Sequence, residues 1–358
     1  MLSAGSLKIA TISGIPVKLH WTFGLLLAGV GFIGYMNDYG VAGTAYFGGF
    51  VMALFFCVVL HEMGHALAAR MYSVSTKDII LSPIGGVARL SHLPEKPLHE
   101  LVIAIAGPMV NVLIALLAGI YIWIANRPFM DLEGNESDVL LNPENFIPLL
   151  LVINITLVIF NMIPAFPMDG GRVLRALCAM KFGRLKATKI AIIVGRILAV
   201  GFIIFGLYTG QFVLPFIGLF IFMAGGAEYR SVKFEALVKN RTVGDVYRDQ
   251  YTLLYQYDSI GYAYDKMLRN REKNFMVVDE QGHLTGTLSE KTIKTAMAEA
   301  AQNDLIAQYK KSEYEAIDVR MPLQYLISLF HHKDYTILPV YDNQEFVGVV
   351  DRDILKML

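Results

Sequence analysis

Long apolar runs separated by short charged ones fill the first two thirds of the chain, and a mixed, alternating pattern takes over afterwards. Six runs read as membrane-crossing helices. They are Trp21–Met36 (extended at its start by Leu19 and His20), a run ending at Leu60, Leu101–Ala125, one between Phe146 and Met162, and two between Ile190 and Ala227. A crossing needs about 20 predominantly apolar helical residues. The last stretch would be roughly 55 Å long as a single helix, so it must turn back, and the polar Tyr208-Thr209-Gly210-Gln211 marks the place.

Between the second and third runs, Ile79-Ile80-Leu81-Ser82-Pro83-Ile84-Gly85-Gly86-Val87-Ala88-Arg89-Leu90 is too short and too broken to cross. Apolar arms around Pro-Ile-Gly-Gly predict a short re-entrant hairpin, with a loop packed over the core as the alternative. From about Val243 a repeat begins. Phe275–Asp279 and Leu284–Leu288 predict strand, turn and strand with a helix from Ser289; Thr336–Asp342 and Phe346–Val350 repeat this with a helix from Asp351. Each copy follows an amphipathic helical stretch, Ser259–Asn270 or Pro322–His332. The expectation is a mostly α-helical multi-pass membrane domain over residues 1–232 and a smaller α/β domain over 233–358, with repeats at about 243–300 and 314–358.

Composition agrees with a membrane protein. Hydrophobic residues make up 55% of the chain and charged ones 17%, and the mean hydropathy is +0.48. The formal net charge is zero, so nothing suggests a nucleic-acid partner. The two cysteines, Cys57 and Cys178, offer no disulfide framework. The N-terminus lacks a short apolar core followed by a small-residue cleavage site, so no removable signal peptide is expected.

Short loops alternate in charge. Lys8 and Lys18 precede the first run, Arg70, Lys77, Arg89 and Lys96 follow the second, Arg172, Arg175, Lys181, Arg184, Lys186 and Lys189 follow the fourth, and Arg230 and Lys233 follow the sixth. The opposite loops hold Asp38 and the acidic Asp131, Glu133, Glu136 and Asp138, with a lone Arg127. Cytoplasmic loops carry the excess of Lys and Arg, so both termini are expected in the cytoplasm of a cell-membrane protein. Asn135-Glu136-Ser137 matches a glycosylation sequon on the external side. Asn154-Ile155-Thr156 matches it equally well inside a span, so the pattern carries little weight.

Chemistry enters at the end of the second run, which is uncharged from Gly40 to Leu60 and then reads His61-Glu62-Met63-Gly64-His65. His-Glu-x-x-His on a helix puts two imidazoles one turn apart on one face, as a tetrahedral zinc site needs, with the glutamate beside the metal as general base. Ionisable groups at membrane depth usually mark a working site. A zinc hydrolase needs a third protein ligand. Asp169, in Asn161-Met162-Ile163-Pro164-Ala165-Phe166-Pro167-Met168-Asp169-Gly170-Gly171-Arg172, falls at the matching depth because the fourth run travels inward. Its alternative is a helix N-cap, and both roles can coexist. Arg196 is expected to snorkel to the interface, and His20 to be interfacial.

His61-Glu62-x-x-His65, Gly107-Pro108-x-x-Asn111 and Asn161-x-x-Pro164-x-x-Pro167-x-Asp169-Gly170-Gly171 together resemble the site-2 proteases, narrowly the prokaryotic subclass with six spans and a C-terminal pair of CBS modules. The resemblance covers essentially the whole chain, with no departure at the ligand or base positions. It implies an intramembrane zinc metalloprotease with one Zn²⁺ per chain, held by His61, His65 and Asp169, and Glu62 as catalytic base. Its substrates would be single-span membrane proteins such as membrane-tethered transcriptional regulators.

The resemblance also implies that Asn111, Asn161, Gly85 and Gly86 meet the substrate. Interhelical hydrogen bonding is the alternative for the two asparagines. For the C-terminal pair it implies an adenine nucleotide site or a homodimer contact. The motif appears as Gly286-x-x-Ser289-x-x-Thr292 and Gly348-x-x-Asp351-x-x-Ile354, so the carboxylate that holds ribose is missing from both. Two other classes are weighed: a CBS-regulated transporter, which would place polar residues along several spans, and a non-proteolytic relative that binds membrane helices, which would lack Glu62 or a ligand.

Overall fold

The computed structural model describes residues 5–83, 85–92, 94, 96–126, 129–130 and 136–357. Ile84, Arg127, Asp131, Glu133 and Asn135 lie outside them. The chain divides into two compact units, Met1–Val232 and Lys233–Leu358.

The first unit opens with a hairpin that the hydropathy pattern did not announce. Strands β1 (Ser6–Ile12) and β2 (Ile15–His20) pair antiparallel around Ser13-Gly14. Both turn residues have positive φ, 50° and 80°, as a type I′ connection requires. Strand β3 (Thr76–Ser82) lies parallel to β2, with Val17 opposite Ile79, and β4 (Gly85–Leu90) folds back antiparallel on β3. The expected re-entrant hairpin is therefore the outer half of a four-stranded sheet in the order β1-β2-β3-β4.

Parallel pairing of β2 with β3 requires a crossover, which α1 (Phe23–Met36) and α2 (Gly40–Met71) supply as an out-and-back pair. Asp78 of β3 is buried and ion-paired to Arg89 of β4 at 2.5 Å and to Lys18 of β2 at 2.7 Å, which pins three strands together.

Among the described residues, five helices are long and apolar enough to cross a membrane: α2, α3 (Pro97–Ile124), the segment Pro143–Asn161 that includes α5 (Phe146–Asn161), α7 (Arg184–Thr209) and α8 (Val213–Val238). The first of the six expected spans, α1, has 14 residues, about 21 Å of helix. It is short because β2 keeps the chain extended through His20, and because Asp38 and Gly40, both at positive φ, turn it back. Large apolar side chains such as Leu25, Trp123 and Phe216 are exposed on these helices, the surface a lipid environment accommodates. The short α4 (Glu136–Leu141) precedes α5, and α6 (Asp169–Phe182) follows it.

Small residues let α2 and α3 approach closely: a Cβ on Gly64 would stand 2.7 Å from the Ala106 carbonyl oxygen. Behind them Arg175 of α6 is fully buried, donates to Glu100 of α3 at 2.6 Å and pairs with Glu228 of α8. Arg196 is exposed on α7, its guanidinium 5.0 Å from the Phe222 ring centroid.

The second unit holds two copies of one topology. Strand β5 (Leu253–Tyr255) is parallel to β6 (Asn274–Val278), which is antiparallel to β7 (Leu284–Ser289); α9 (Ile260–Asn270) and α10 (Glu290–Ala298) complete the copy. Strands β8 (Ile317–Asp318), β9 (Ile337–Asp342) and β10 (Glu345–Asp351) repeat the order with α11 (Leu323–His332) and α12 (Ile354–Met357). Each copy has its own core, around Phe275 and Ile293 in one and Phe330 and Leu338 in the other. Met276, Ile337 and Val349 form a further buried cluster that draws on both copies.

Candidate metal centre

Helix α2 carries His61 and His65 on one face, with Nε2 atoms 3.1 Å apart. Asp169 Oδ2 lies 3.1 Å from one and 3.2 Å from the other. Two donors on one tetrahedral zinc at about 2.05 Å stand about 3.3 Å apart, so the near-equilateral triangle fits that ion's size and its N/O ligand preference. All three residues are buried, and among the described residues this is the one His/Cys/Asp/Glu group found that could hold a metal. Room for it is kept by Gly107 of α3. A Cβ there would stand 2.2 Å from His65 Nε2 and 2.7 Å from His61 Nε2.

Asp169 reaches the histidines because the chain after α5 folds back tightly. A Cβ on Gly170 would lie 2.3 Å from the Ile163 carbonyl oxygen, and one on Gly171 would lie 2.6 Å from the Ala165 carbonyl carbon. Only glycine permits that approach. Asp169 is the first residue of α6, and its carboxylate is turned to the imidazoles.

The remote ring nitrogens are also engaged. His65 Nδ1 is 2.7 Å from the Ile103 carbonyl oxygen, an acceptor only, so the proton is assigned to Nδ1 and Nε2 keeps its lone pair. His61 Nδ1 is 2.5 Å from Asn111 Oδ1.

Glu62 is half-buried on the same turn, and its Oε2 accepts the Ala88 amide hydrogen from β4 at 2.8 Å. It therefore stands between the donor triangle and the edge strand. A cavity of about 490 Å³ opens there, lined by Glu62, Gly86, Asn161, Asp169, Arg172 and Phe220 among others. A site of this shape supplies a buried metal seat, an adjacent carboxylate, and a strand edge along which an extended peptide can lie.

The sequence-derived residues separate into two groups. His61, Glu62, His65, Asp169, Asn161, Gly85 and Gly86 all line the cavity. Asn111 does not: it is fully buried behind His61, with its amide spent on His61 and Asn154. The interhelical alternative describes the contacts that Asn111 makes. Two partners escaped sequence reading. Asn154 looked like a chance sequon, and the Ala88 contact involves a backbone amide that no side-chain motif can signal.

The sequence pattern of peptidase family M50 matches residues 49–128 and 128–205, and that of the CBS domain matches residues 243–299. A zinc metalloprotease of Methanocaldococcus jannaschii is 36% identical over 283 residues, 79% of this chain and 78% of its own. A Synechocystis relative is 26% identical over 375 residues, 99% of this chain and 95% of its own. The solved site-2 protease from Methanocaldococcus jannaschii shares 36% identity, with a TM-score of 0.46, covering 63% of this chain and 95% of that one. A transporter built around a CBS unit is set aside by these matches. The chain belongs to peptidase family M50: it is a multi-pass membrane metalloprotease of the site-2 type, with a CBS domain following its protease unit in the sequence.

Proposed function

We propose that His61, His65 and Asp169 hold one zinc ion per chain and that Glu62 is the general base for hydrolysis of a peptide bond in or near a substrate's transmembrane segment. The observation that carries this reading is the donor triangle, with edges of 3.1, 3.1 and 3.2 Å, beside a half-buried carboxylate. Zinc held there supplies Lewis acidity, polarising the scissile carbonyl and acidifying the attacking water. Glu62 takes the proton from that water and passes it to the leaving amine. His65, fixed by the Ile103 carbonyl, and His61, fixed by Asn111, present unprotonated Nε2 atoms without rearranging.

The substrate lies extended along the cavity. Strand β4 ends the sheet, so an unwound segment would pair along its outer edge, where Glu62 holds the Ala88 amide. Gly85, Gly86 and Asn161 line the same cavity, and the Asn161 amide is a candidate donor for substrate backbone. Single-span proteins, including membrane-tethered transcriptional regulators, are the class that offers such a segment at this depth. Both termini are cytoplasmic in this reading, by the Lys and Arg excess on one set of loops. Pairing of β2 with β3 supports only that the segments before α1 and after α2 lie on the same side.

For the CBS unit two roles stand, an adenine nucleotide site and a homodimer contact. A cavity of about 350 Å³ is lined by the hydroxyls of Thr287, Ser289 and Thr336 and by Lys291 and Lys311, with Glu299 and Asp334 also on its wall. Thr292 stands where ribose would find a carboxylate. Titration calorimetry with ATP and AMP, set beside the oligomeric state in detergent, separates the two.

The test of the protease site is zinc content by mass spectrometry with cleavage of a single-span substrate. The wild type is expected to hold one zinc and to cut, whereas His65→Ala and Asp169→Ala lose both. One zinc retained by either variant would overturn the ligand set.

A further inference from the structure

We propose that Asn154 of α5 is a positioning residue for the zinc site, setting the orientation of His61 through Asn111. This rests on His61 being a zinc ligand. Asn154 is fully exposed to no solvent: its relative exposure is 0%, as is that of Asn111. Its Nδ2 donates to the Leu150 carbonyl at 2.8 Å and lies 3.5 Å from Cys57 Sγ, while its Oδ1 accepts from Asn111 Nδ2 at 2.7 Å. Asn111 Oδ1 then faces His61 Nδ1.

The polarity of this chain is dictated from its far end. The Leu150 carbonyl can only accept, so the Asn154 amide must present its NH₂ there and its oxygen to Asn111. Asn111 must answer with its own NH₂, which leaves its oxygen for His61. An oxygen facing Nδ1 demands the proton on Nδ1, and Nε2 is left with the lone pair that a metal needs. With Asn154 removed, the Asn111 amide can turn over, offer NH₂ to His61, and favour the tautomer whose Nε2 carries the proton. Interhelical adhesion alone does not require this ordered sequence of donors.

The experiment is zinc affinity of the full-length protein in detergent, by competition with a chelator, for wild type, Asn154→Leu, Asn154→Ser and Asn154→Asp. Leucine removes both bonds at similar volume. Serine can still donate to Leu150 but falls short of Asn111. Aspartate still presents an oxygen to the Asn111 NH₂, so it keeps the Asn111 amide in its orientation.

The expected result is a zinc Kd raised about 10–100-fold in Asn154→Leu and Asn154→Ser, the range for partners of metal ligands. Asn154→Asp is expected to remain within about threefold of wild type. Thermal melts identify any variant that fails to fold, and the leucine and serine variants stand in for one another. Wild-type affinity in a folded leucine or serine variant would overturn the proposal, as would equal loss in all three. A wild-type chain that takes up no zinc would instead overturn the ligand assignment beneath it.

Discussion

The Glu62 carboxylate accepts the backbone amide hydrogen of Ala88 at 2.8 Å, so the glutamate of the histidine motif is tied directly to the strand that borders the cavity. A helix brings Glu62 beside the His61–His65–Asp169 group, and a strand edge holds its free end. The placement of Glu62 thus depends on the sheet as well as on α2.

Ala88→Pro removes that amide donor on an edge strand, where proline is tolerated. Zinc content should be unchanged and kcat lowered by about 10-fold or more, as expected when a general base loses its placement. Wild-type kcat with zinc in place would show that the amide does not position Glu62.

Gly107→Ala puts a carbon where His61 and His65 meet, at built separations of 2.7 and 2.2 Å from their Nε2 atoms. The contact is too short for the rings to keep both their bonds to Asn111 and Ile103 and their convergence on Asp169. Zinc affinity should fall by about 100-fold, the upper end for disturbed ligand support. Chelator competition alongside circular dichroism checks it; wild-type affinity in a folded variant would contradict the packing argument.

Two hydrogen bonds from Arg89 hold the Asp78 carboxyl down at about 2, with burial opposing them and Lys18 assisting. A carboxyl lowered on folding contributes stability that is complete above its unfolded pKa, about 4. That contribution is lost as the pH falls from about 4 through about 2. Melting temperatures at pH 6 and pH 3 should therefore drop more in wild type than in Asp78→Asn, which has no carboxyl to titrate. Equal drops would show that Asp78 does not carry this acid sensitivity.

Much of this architecture was legible in the chain because it rests on period and spacing. The long apolar helices, the hairpin of β3 and β4 and the two strand-turn-strand copies each follow from runs or alternation. The meeting of His61, His65 and Asp169 in one buried group follows from motif spacing combined with a depth argument. The N-terminal hairpin was missed because its signal, Ser13-Gly14, is a two-residue turn between strands with no clean alternation. It also shortens α1, so the first expected span became 14 residues.

Asn111 and Asn154 could not be placed from sequence. Whether an amide faces a ligand or a cavity is decided by the rotation of its helix, and the hydrophobic pattern fixes that poorly when a helix is apolar all round. The Glu62–Ala88 and Arg175–Glu100–Glu228 contacts join segments far apart in the chain and leave no local signature.

The central claim is that a zinc held by His61, His65 and Asp169 works with Glu62 to cut membrane-embedded peptide. Its most direct test is zinc content and single-span substrate cleavage measured together in detergent for wild type and Glu62→Gln. One zinc per chain in both, with cleavage lowered by about 10²–10⁴-fold in Glu62→Gln, is the result expected of a general base beside an intact metal site. Wild-type cleavage by Glu62→Gln, or a folded wild type without zinc, would contradict it.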